Sequence, residues 1–128
     1  WQGRAEIIKL PLPGLPEFVE RGELDSPALR KFLQDYFAVL SDRPVDAVVL
    51  GCTHYPFVRK AIKELLGGQV RVFDGAAGTA RQLRRRLYKL GLLTDAANTA
   101  HEKILWLNSS PDAKMLELSR KLFQIKID

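Results

Sequence analysis

Spaced by their apolar residues, the 128 positions alternate between short apolar runs and amphipathic stretches of about three turns. Ala5 to Leu10 predicts a short strand, and Pro11, Pro13, Gly14 and Pro16 break regular structure after it. Phe18, Val19 and Glu20 predict one helical turn ending near Gly22. Ser26-Pro27 is a helix start, with serine as N-cap and proline at the first helical position. Leu29, Phe32, Leu33, Tyr36, Phe37 and Leu40 then line one face of a helix that stops before Pro44. Val45 to Leu50 predicts a strand buried on both faces of a parallel sheet. A second amphipathic helix carries Val58, Ala61, Ile62, Leu65 and Leu66 and closes at Gly67-Gly68. Gln69 to Phe73 predicts another strand, and Asp74-Gly75 turns into a helix ending at Gly91. In that helix Ala76, Ala80, Leu83, Leu87 and Leu90 recur at spacings of three and four and are expected to be buried. Lys103 to Leu107 predicts a last strand. Ser110-Pro111 predicts the cap of a last helix, which bears Met115, Leu116, Leu118 and Leu122. Strands alternating with helices mean βαβ units, so the expected fold class is α/β: three layers around a parallel sheet.

Composition changes this picture little. Hydrophobic residues at 46% and charged residues at 27% exclude disordered, collagen-like and coiled-coil chains. No apolar run reaches the roughly 18 residues of a membrane span, so no membrane partner is expected. Cys52 is the one cysteine, cannot form an internal disulfide, and points to a reducing, cytoplasmic setting. The chain starts at Trp1 and its one methionine is Met115, so a piece of a longer protein is expected.

Charge raises one question. Lys and Arg number 20 against 15 Asp and Glu, a net +5, and a basic domain invites comparison with nucleic-acid binders. The densest stretch is Arg81, Arg84, Arg85, Arg86 and Lys89, on the face opposite the leucines. No aromatic residues interleave there except Tyr88, so no base-stacking platform is present. The expectation is a solvated face and no nucleic-acid partner. The alternative is a binding module contacting an acidic protein or nucleic acid through this helix.

Open parallel sheets bind ligands beyond the carboxyl ends of their strands. Two such junctions carry polar residues, Gly51 to His54 and Asp74 to Thr79. Cys52 follows a strand and precedes a helix, the place where unpaired N–H groups favour a thiolate. His54 is two residues on, and Thr53 adds a hydroxyl and an N–H suited to a carboxylate. A lone cysteine is also a small buried hydrophobe, and both readings stay open. No metal site is expected, because Cys52, His54 and His101 lack ligand spacing. The Asp74-Gly75-Ala76-Ala77-Gly78-Thr79 turn lacks a phosphate-loop pattern and reads as a tight turn before a helix, with Asp74 free to orient a neighbouring group. By itself Glu20 reads as a surface residue.

The string Leu50-Gly51-Cys52-Thr53-His54-Tyr55-Pro56 resembles the second cysteine motif of bacterial glutamate racemase. PEFVERGELDS, VFDGAAGTARQL and LNSSPDAKMLELSRKLF resemble further segments of that family, so the likeness runs along nearly the whole chain. It implies interconversion of L- and D-glutamate for peptidoglycan synthesis, with no cofactor. It also implies two α/β lobes with substrate between them: residues 1–75 belong to one lobe and 76–128 complete the other. The match is to the C-terminal half. The family's first cysteine motif, Cys-Asn-Thr, is absent, and Asn98-Thr99-Ala100 does not replace it. Moving a proton off one face of the α-carbon and onto the other takes two opposed groups. By resemblance Cys52 is one of two acid/base thiols, His54 assists it and contacts substrate, and Thr53 holds the α-carboxylate. Glu20 is an assisting carboxylate on the same ground, and Asp74, from its place in the turn, is a second candidate for that role. The expected partners are glutamate, the upstream half of the enzyme and a second copy in a homodimer. Relatives acting on aspartate usually carry Glu where His54 stands, which favours glutamate. The chain by itself, with one thiol, is expected not to racemise.

Overall fold

The computed structural model describes residues 3–93, 105–109 and 112–124. Its core grows from local signals. Gly14, with φ 96°, opens helix α1 (Leu15–Glu20), which buries Leu15 and Val19 completely. A Cβ at Gly14 would meet the Phe32 ring at 3.4 Å, so both space and φ favour glycine there. Helix α2 (Pro27–Phe37) starts as expected: the Leu29 N–H donates to the Ser26 hydroxyl at 3.1 Å, and proline occupies the first turn. Leu29, Leu33 and Phe37 are buried, and Phe32, Tyr36 and Leu40 pack partly buried against them. The α-helix ends at Phe37 and tightens into a 3-10 turn over Ala38–Leu40.

Strands β1 (Ala47–Val49) and β2 (Arg71–Phe73) pair in parallel, with Val48 opposite Val72. Between them run a 3-10 turn (Tyr55–Val58) and helix α3 (Arg59–Leu65), making one βαβ unit. Helix α3 presses Ala61 and Ile62 toward α2 and the sheet, and Gly67, at φ 73°, ends it. Leu12, Leu15, Val19, Leu29, Leu33, Phe37, Leu50, Val58, Ala61 and Ile62 form one buried cluster. Each fully buried aliphatic side chain in it is worth about 1.5–3 kcal/mol over exposure. Helix α4 (Ala76–Lys89) and helix α5 (Ala113–Gln124) follow. Among the described residues no helix is long and apolar enough to cross a membrane.

The α/β class and the parallel pairing agree with expectation, and four details differ. Ala5 to Leu10 forms no strand; Ile7 is 75% exposed, and among the described residues no strand lies there to pair with it. The Val45 to Leu50 strand shortens to three residues and is not buried on both faces: Val49 is 75% exposed. The α4 stripe is not buried, since Leu83 is 59% and Leu90 68% exposed and no residue of α4 is buried. An apolar stripe becomes a core only where a second surface meets it. Leu105 to Leu107 carries no strand, while Lys103 and Ile104, like the Ser110-Pro111 cap, lie outside the described residues. Helix α5 itself is present, with Met115, Leu116, Leu118 and Leu122 half-buried.

Candidate functional site

Strand β1 ends at Val49, and the chain leaves the sheet through Leu50, whose N–H donates to the Phe73 carbonyl at 2.8 Å. That bond fixes the exit, and Gly51-Cys52-Thr53-His54 then bend beyond the carboxyl end of β1 before Tyr55–Val58 winds into α3. The Cys52 Sγ lies 3.8 Å from His54 Nδ1, and Thr53 Oγ1 lies 3.4 Å from the same nitrogen. The other ring nitrogen, Nε2, lies 3.4 Å from Glu20 Oε1 at the end of α1. Glu20, His54 and Cys52 therefore form a string: carboxylate, imidazole, thiol. With the ring proton on Nε2, toward the Glu20 carboxylate, Nδ1 is left as the acceptor facing the thiol. A proton leaving Cys52 then has a base beside it, and the resulting imidazolium has a counter-charge. The His54 and Glu20 side chains are 34% and 50% exposed, so the string is open to a ligand from solvent.

Tyr55 ties this loop to the segment before α1. Its hydroxyl donates to the Leu12 carbonyl at 3.4 Å. Burial pushes the phenol above its ordinary range, with a further push from the nearby Cys52 charge and an opposing pull from the Leu12 bond.

Asp74 stands apart from the string. Its Oδ1 accepts the Ala76 N–H at 2.8 Å, and Arg59 Nη2 donates to Oδ2 at 2.5 Å. The Ala76 N–H bond, followed by the Arg59 bond, holds the carboxyl below the usual carboxylate range. Arg59 Nη1 also donates to the Val72 carbonyl at 3.0 Å, while its buried Nε has no partner among the described residues. Asp74 thus joins the first residue of α3, the end of β2 and the start of α4, and makes the tight turn expected of it. Arg59 carries no motif, but one signal was available: a cation in the first turn of a helix opposes the dipole and calls for an anion nearby.

Among the described residues no group of three His, Cys, Asp or Glu side chains is placed to hold a metal ion. His101 and Asn98-Thr99-Ala100 lie outside those residues.

No family model matches the chain. Among curated proteins, the glutamate racemase of Clostridium perfringens (strain 13 / Type A) is 43% identical over 121 residues, which is 94% of this chain and 46% of that protein. The glutamate racemase of Clostridium botulinum (strain Hall) is 36% identical over the same shares. The chain thus spans about half the length of the curated relatives it matches. Among solved structures, glutamate racemase from Francisella tularensis in complex with D-glutamate superposes with a TM-score of 0.73 at 20% identity, over 91% of this chain and 43% of that one. At that identity the likeness shows the fold. Glutamate racemase from Thermus thermophilus, in complex with β-chloro-D-alanine, gives a TM-score of 0.58 at 34% identity over 66% of this chain and 32% of that one. Sequence and fold agree, and the chain belongs to the glutamate racemase family.

Proposed function

We propose that this chain carries one half of the proton-transfer machinery of a cofactor-independent glutamate racemase. The observation that supports this most directly is the Glu20–His54–Cys52 string, with contacts of 3.4 and 3.8 Å, on a Cys-Thr-His segment within the stretch matched to glutamate racemases. In this reading Cys52 removes the α-proton of one glutamate enantiomer as thiolate and returns it to the other as thiol. His54 holds the displaced proton and contacts the substrate. Glu20 supports the imidazolium, and Thr53 binds the α-carboxylate through its hydroxyl and N–H. Asp74 acts at a distance, by fixing the end of β2 through Arg59.

The opposing thiol belongs to the part of the family's length that this chain does not span. Residues 1–75 contribute to one lobe, and 76–128 complete the other. The bare apolar arc of α4 and the exposed Val49 and Phe73 support that division, since among the described residues each lacks a second layer. The protein acts in the cytoplasm, on glutamate destined for peptidoglycan, and a homodimer is compatible with these surfaces. By itself the chain supplies one base and does not invert the α-carbon.

Deuterium uptake at the α-carbon of L- and of D-glutamate in heavy water tests this, with Cys52→Ala as control. Exchange needs one working thiol and not full inversion. The expected result is Cys52-dependent exchange of one enantiomer alone. Exchange of neither, in a chain whose circular dichroism shows it folded, would overturn the assignment of Cys52 as an independent base.

A further inference from the structure

The net charge of this chain has one address. Of its 20 Lys and Arg against 15 Asp and Glu, helix α4 holds Arg81, Arg84, Arg85, Arg86 and Lys89 and no acidic residue. The remaining 15 cations balance the 15 anions, so the whole +5 excess sits on one helix. All five side chains are exposed. Elsewhere Arg21, Arg30, Lys31, Arg43, Arg59, Lys60 and Lys121 each face a carboxylate, and the remaining cations stand singly and not as a cluster on one helix. Among the described residues none of the α4 five does, and Arg85 reaches only the Gln82 amide, at 3.3 Å.

At about 100° per residue, the five fan over roughly 200° of the helix, on the side away from Leu83 and Leu87. A flat anionic surface meeting the helix from one side engages only part of such a fan. Two facing walls of phosphates engage all of it. A duplex major groove offers that geometry, about 12 Å wide against a helix of about 10–12 Å. From Arg81 to Lys89 the axial rise is about 12 Å, long enough to meet successive phosphates on both walls. Four of the five are arginine, whose planar fork pairs with phosphate in bidentate fashion. Tyr88, 74% exposed, is the one aromatic in the fan, too few for stacking a single strand.

We propose that the cationic face of α4 is a docking surface for the phosphate backbone of a DNA duplex, independent of the racemase site. Binding is electrostatic and indifferent to sequence. Five phosphate contacts give a slope of about −4.5 for log affinity against log salt, so affinity falls by several hundred-fold between 50 and 200 mM salt.

Fluorescence anisotropy of the 128-residue chain with a labelled DNA duplex of about 20 base pairs tests this. The expected result is binding at 50 mM salt with that slope, dropping to about −2.7 in Arg84→Ala/Arg85→Ala. Lys31→Ala/Lys60→Ala removes the same two charges from α2 and α3 and leaves the slope unchanged; circular dichroism confirms that both variants are folded. No binding at 50 mM, or an equal loss in the two double variants, overturns the proposal. So does affinity for the single strand equal to that for the duplex, or binding to phosphatidylglycerol vesicles without binding to the duplex.

Discussion

Replacing Glu20 by Gln removes the charge at the far end of the Glu20–His54–Cys52 string and little else. The carboxylate oxygen is 3.4 Å from His54 Nε2. Coulomb attraction to an imidazolium at that distance is about 1 kcal/mol in water and about 5 kcal/mol at an effective dielectric of 20. The two side chains are 50% and 34% exposed, so the smaller figure governs, and exposed pairs of this kind are worth about 0.2–1 kcal/mol. Taking 0.5–1 kcal/mol, the thiolate–imidazolium form of Cys52 and His54 loses about two- to fivefold in population. Alkylation by iodoacetamide reads this directly, because only the thiolate reacts and Cys52 is the one thiol present. Glu20→Gln should therefore slow alkylation at neutral pH by about two- to fivefold. Glu17→Gln, the same charge change one turn earlier on α1, should slow it far less. Equal rates in Glu20→Gln and the unaltered chain would refute the string as an electrostatic unit. Equal slowing in both variants would refute its specificity.

Two further outcomes follow from burial and charge. Leu33→Ala, at a site 1% exposed, should cost about 2–5 kcal/mol in urea unfolding, whereas Leu83→Ala, at a site 59% exposed, should stay within about 0.5 kcal/mol. The folded-state pKa of Asp74 lies below its ordinary value of 3.8, so its contribution is present above that value and disappears as pH falls through the lowered one. Asp74→Asn should accordingly be less stable than the unaltered chain at neutral pH, with the gap closing as pH falls below 3.8 in urea titrations.

What could be read from sequence follows the reach of each signal. The Ser26 cap and the apolar face from Leu29 to Phe37 are local, set within a few turns, and both formed as expected. The Cys-Thr-His junction was visible because a strand and a helix bracket it. The Glu20–His54 contact spans 34 positions, and no spacing rule reaches that far; only resemblance drew attention to Glu20. The Arg59–Asp74 pair is likewise a product of topology, made when the βαβ crossover brings the start of α3 over the end of β2. Patterning marked the apolar arc of α4 correctly as a face but carried no information on whether anything covers it. The Val45 to Leu50 run misled for the same reason: β-branched composition signals a buried strand, and burial needs neighbours.

Helix α4 has one more property, which concerns cooperativity. With no buried residue, its 14 residues are held by their own backbone bonds, by the Asp74–Ala76 bond at one end and by a basic last turn that suits the dipole at the other. An isolated helix of this length is marginal in water. The chain therefore has two tiers of stability: amides of α2 and α3 exchange with solvent through global unfolding, while those of α4 open on their own at much lower free energy. A ligand seated on α4 suppresses that opening, so binding there registers as added amide protection along the whole helix.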